Sequence, residues 1–177
     1  MCFKAAYPST AYLKGFLNTK NIACAQADLG IDVILALFSK QGLSDLFQYI
    51  ADLPAQDWTD NAKRIIALQR DYIQTIDAVI KFLQGQNPTL AHLIAQEEYL
   101  PQAKRFEQSE DLDWAFGAMG LQDKAKHLAT LYLEDLSDLI IECIDPHFGF
   151  SRYAERLGRS ANQFDELYDT LSQPFTY

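Results

Sequence analysis

The chain is short of cysteine, histidine and positive charge, and each shortage removes a class of function. Its three cysteines, Cys2, Cys24 and Cys143, stand far apart and form neither a disulfide framework nor a metal-binding ladder. Fifteen Lys and Arg against 24 Asp and Glu leave a net charge of −9. A surface of that sign repels phosphate backbones, so nucleic acid is not an expected partner. The nearest basic patch, Arg152, Arg156 and Arg159, is spaced to pair with the surplus acids on a helix. No uncharged apolar run reaches membrane-spanning length, and the start lacks the apolar core of a signal peptide. The expectation is a cytoplasmic protein without a membrane partner. Gly-x-Gly-x-x-Gly, Walker and Gly-x-Ser-x-Gly sequences are missing, and Gly117 to Gly120 lacks the lysine that would help cradle a phosphate. No cysteine has a histidine in a recognisable catalytic context, so the chain on its own is not expected to be catalytic.

What is present is a globular composition, 49% hydrophobic and 22% charged over 177 residues, enough for one domain with a real core. Apolar spacing near 3.6 residues predicts a mainly α protein of about seven helices. Two are long, near 58–84 and 122–144, and are expected to pack antiparallel. The first carries Ile65, Leu68, Tyr72, Ile76, Val79, Ile80 and Leu83, with Thr59 or Asp57 to cap it and Gly85 at its end. The second carries Leu128, Tyr132, Leu136, Leu139, Ile140 and Cys143. Shorter helices are expected from Pro8 to Leu17, from Ile31 to Ser39 as a deeply buried element, from Leu43 to Ile50, after Asn87-Pro88, and from Ala161 to Ser172. Residues 106–120 read as an irregular connection. One segment breaks the pattern: Ile22 to Ala27 reads as a buried strand, and a strand needs a partner for its backbone groups. An orphan strand invites pairing across a two-fold axis, so a homodimer or self-contained helical interaction module is one expectation.

Candidate chemistry is sparse. His127, Glu134, Asp138 and Glu142 fall within about a quarter of the wheel of the second long helix. Inward carboxylates with a histidine can hold a metal in a helical bundle, although this arc lies opposite the apolar stripe, where a solvated face is the ordinary outcome. His92 with Glu97 and Glu98 is a second combination, but the spacing sends these side chains to different sides of a helix. His147, in Asp145-Pro-His-Phe-Gly149, is the one cofactor candidate. Asp-x-His-x-x-Gly is the signature by which many cobalamin-binding domains supply a histidine to cobalt, and here the glycine comes one residue early, after a helix.

Pro8 to Leu17 followed by Ile22 to Ile31 resembles the opening of B12-binding-type radical SAM proteins. There a strand ends in a proline-containing loop, a helix of Tyr-Leu-x-x-x-Leu character follows, and a second strand ends in Asp-Leu-Asn/Gly-Ile. Leu35 to Ser39 and Phe148 to Leu157 are similar to a subset of uncharacterised bacterial sequences of that kind. The resemblance implies that residues 1–39 are a partial α/β, cobalamin-domain-like edge and 40–177 a helical region. It also implies that the whole is the non-catalytic N-terminal part of a larger enzyme, packed against a downstream catalytic barrel. S-adenosylmethionine, a [4Fe–4S] cluster and cobalamin would then belong to that parent protein. The departures are a missing first strand and a missing Cys-x-x-x-Cys-x-x-Cys motif.

Overall fold

A computed structural model describes residues 8–27, 29–54, 56–96, 98–108 and 120–150. The expectations for Cys2, Glu97, the stretch 109–119, the three arginines at 152, 156 and 159 and the helix near 161–172 lie outside the described residues. The described chain is mainly helical. Its α-helices are α1 (Pro8–Thr19), α2 (Leu29–Leu37), α3 (Lys40–Asp52), α4 (Asp60–Ala67), α5 (Gln69–Leu83), α6 (Ala91–Ala95) and α7 (Leu121–Cys143), with 3-10 turns at Pro88–Leu90 and Lys104–Gln108.

Helix α7 is the axis of the core. Leu128, Ala129, Tyr132, Leu133, Leu136, Leu139 and Ile140 on it are buried, and α4, α6 and the Lys104–Gln108 turn pack around it. Each fully buried Leu or Ile side chain is worth about 1.5–3 kcal/mol, so this helix anchors the domain. Helix α3 covers α5 and supports α2.

The expected long helix over 58–84 is two helices. At Leu68 the backbone leaves helical dihedrals (φ −91°, ψ 8°), its N–H still bonding back to Arg64 and Ile65 while its carbonyl starts α5 by accepting from Asp71 and Tyr72. The apolar spacing runs through the break, and neither glycine nor proline marks it. The break lets α4 lie on α7 while α5 lies on α3. Thr59 caps α4 by accepting from the Ala62 N–H at 3.2 Å, and Gly85, at φ +79°, ends α5 in the left-handed conformation that favours glycine. Two hydrogen bonds join these segments to α7: Thr59 to Glu142 and Thr75 to Tyr132.

The strand over 22–27 does not form; no strand occurs among the described residues. Asn21 takes a left-handed φ of 57°, the Ile22 N–H bonds back to the Leu17 carbonyl, and the chain turns to run alongside α1. Gln26 donates to the Thr10 hydroxyl at 2.7 Å and the Cys24 thiol to the Lys14 carbonyl at 3.7 Å. Most of 22–27 is exposed, so water can serve its backbone and no ladder is required. The partial α/β unit fails on the same geometry. In such a unit the helix lays its apolar side on the strand, but here the Thr10 and Asn18 side faces 22–27, and Tyr12, Leu13 and Phe16 point away. Helix α2 is also less buried than expected: it packs mainly on α3, with Ile34, Leu35 and Leu37 against the core, and leaves Val33 55% exposed.

Candidate functional site

The polar groups of α7 converge on the segment between α6 and α7. Asp135 is fully buried, and its two oxygens accept from the Ala103 and Arg105 backbone N–H groups at 3.0 Å each and from the Tyr72 hydroxyl at 3.4 Å. Burial pushes its carboxyl up to about 6, against the lowering pull of those donors. One turn on, Asp138 takes both arms of the Arg105 guanidinium at 2.7 Å, and Glu134 stands 3.7 Å from the same group. The Asp138 bonds hold the Arg105 guanidinium above its ordinary pKa. Residues 103–105 are thus pinned to α7 by a buried carboxylate and a bidentate ion pair.

Glu142, one further turn along, closes a second clasp. It accepts from the Thr59 N–H and the Thr59 hydroxyl, both at 2.7 Å, while the same hydroxyl caps α4. Between the two clasps lies an open groove of about 530 Å³ lined by Asn61, Arg64, Lys104, Glu107, Asp138 and Glu142 among others. Its charges are mixed, and Arg64 is already paired with Glu107 at 3.2 Å.

Three of the four residues of the acidic arc therefore act as fasteners. Glu134 and Asp138 come together on a cation, and Glu142 holds a helix start. His127 sits at the other end of α7, about two turns from Glu134; burial lowers its pKa while the Glu134 charge raises it. Among the described residues no group of three or more His, Cys, Asp and Glu side chains is gathered as a metal would need. His92 and Glu98 are exposed.

The described residues do not assemble a site for cobalamin or for a [4Fe–4S] cluster. His147 lies on the turn after α7, where its N–H donates to Asp145 Oδ1 at 2.8 Å and the Phe148 N–H bonds to the Asp145 carbonyl. That is a helix-ending turn, not the end of a strand from which a corrin is approached. The cluster would need thiolates, but burial and the Glu142 charge push the Cys143 thiol up to about 11, and Cys24 lies on the α1 unit. No helix among the described residues is long and apolar enough to cross a membrane.

Residues that were not candidates for a site complete the arrangement. Asp135 stands within the apolar stripe, where a lone acid looks like an interruption, and Ala103 and Arg105 carry no motif. Phe148 and Phe150 pack on Phe38 with ring centroids 6.4 and 5.4 Å away, tying the chain after α7 to the junction of α2 and α3. The only available signal was the clustering of apolar residues beyond a helix end. No protein-family model, curated protein or solved structure matches the chain.

Proposed function

We propose that this chain is a non-catalytic helical frame, the N-terminal region of a radical SAM enzyme of the B12-binding type, packed against a catalytic barrel outside residues 1–177. The observation that supports a framing role is the use made of the polar groups: Asp135, Asp138 and Glu142 are all engaged in fastening other segments to α7. The enzyme class comes from the resemblance in residues 7–39 alone. The barrel would carry the iron–sulfur cluster and S-adenosylmethionine, and the frame would bring neither.

The test is the natural reading frame together with reconstitution. A cysteine triad is expected downstream of Tyr177, and the chain produced alone and treated anaerobically with iron and sulfide is expected to show no cluster absorbance. A stop codon directly after Tyr177, or a cluster formed by the chain alone, overturns the reading. A second reading, a self-contained interaction module, is favoured by the exposure of Tyr12, Leu13 and Phe16 on α1.

A further inference from the structure

The break at Leu68 has a second effect. Because it lays α4 on α7 and α5 on α3, neither helix fills the space between the end of α3 and α4. Leu53 leaves α3 in an extended conformation (φ −69°, ψ 149°), and the chain passes through Pro54 before Thr59 starts α4. What remains is an open groove of about 590 Å³, within the roughly 300–1,000 Å³ of small-molecule sites. The α1 arm, residues 8–27, also exposes apolar side chains, but on a convex helix; the groove exposes them in a hollow on the body of the chain.

The hollow is apolar, with polar groups at few points. Buried Phe47 and Ile50 line it together with half-buried Leu53, Trp58 and Ile66. Its polar lining is Lys63, Gln56 and Gln69, and among the described residues that form it only Lys63 carries a charge. Lys63 pairs with Asp57 at 3.3 Å, but the Asp57 side chain is fully exposed and stands outside the lining, so that pair is worth little. A carboxylate at the end of an apolar ligand would meet the same ammonium on the groove side. There apolar side chains exclude water, and a charge-assisted hydrogen bond is stronger. The Gln56 and Gln69 amides supply further donors.

We propose that the groove between α3 and α4 binds a small apolar carboxylate, its hydrocarbon part lying on Phe47, Ile50, Trp58 and Ile66 and its anionic head on Lys63. The sign of the single lining charge selects an acid over an alcohol or an amine, and the hollow is too small for the ~1,200 Å² of a stable protein interface. None of the groups that fasten segments to α7 lines it, so the site stands apart from the framing role.

Isothermal titration of the full chain with octanoate, octanol and octylammonium reads the choice of head group, and Trp58 fluorescence in a Trp114→Phe chain reports the place. Octanoate is expected to bind with a Kd of roughly 0.1–1 mM and to change the Trp58 emission. Octanol should bind about fivefold more weakly, and octylammonium more weakly still. Lys63→Met should bring octanoate down to the octanol level while leaving octanol unchanged, and Asp57→Asn, which releases the ammonium, should tighten octanoate alone. Ala51→Trp, at an exposed position in the lining, should fill the hollow and abolish binding while the far-UV circular dichroism stays that of the parent. Phenylpropanoate in the same titration tells whether the hydrocarbon part is a ring or a chain, and binding of either carboxylate through Lys63 supports the site. No binding of either carboxylate up to ~10 mM overturns the proposal. So does octanoate binding that survives Ala51→Trp, or that Lys63→Met leaves unchanged.

Discussion

Asp135 shows how much one residue can carry. A carboxylate with no exposed surface in a helix interior is costly unless donors surround it, and three do. Asp135→Asn puts an amide N–H against a backbone N–H. The expected loss is about 2–3 kcal/mol in urea unfolding, with residues 101–108 released from α7. The pH dependence has a definite sign. The carboxyl rises from 3.8 unfolded to about 6 folded, so the native chain takes up the proton first. Its contribution to stability is present in full below the unfolded value and is lost as pH rises through about 6. Urea midpoints followed from acid to neutral pH should therefore show a decline in the parent protein that is absent from the Asn variant; equal slopes in the two would contradict this account. Nothing in the sequence around Asp135 announces this, because its donors come from residues 30 to 63 positions away with no motif of their own.

At the scale of elements, the joints decide the packing. Gly42 sits where a Cβ would run into the Ala36 and Leu37 carbonyl oxygens, so α3 can start this close to the end of α2 only without a side chain. Gly42→Ala is expected to cost roughly 1–3 kcal/mol in thermal or urea unfolding, with α2 displaced from α3. The caps were legible: Thr59 and Gly85 work as their residue types suggest. The break at Leu68 was not legible. Helical periodicity records which side of a helix is apolar, and that side stays apolar across a turn forced by what α4 and α5 each pack against. The same limit explains Ile22–Ala27, where β-like composition was outweighed by the return of the chain along α1.

For the whole molecule, the boundary between arm and body has a thermodynamic consequence. Helix α1 leaves its large apolar side chains in water and supplies none of the buried core. Removing residues 1–27 should therefore change the urea stability of the body by no more than ~0.5 kcal/mol at a concentration where the chain is monomeric. A larger loss would mean that the arm belongs to the core after all.

By itself the sequence determined the helical class, the extent of α7 and the caps, because periodicity and terminal chemistry are local properties of the chain. It also determined that the first 27 residues carry no acid. The tertiary structure alone decided that the acidic arc of α7 fastens Arg105 and Thr59, that Asp135 is buried, and that Ile22–Ala27 stays out of a sheet. Each of those depends on partners tens of residues away in sequence, or, for the segment alongside α1, on which side of the helix faces it.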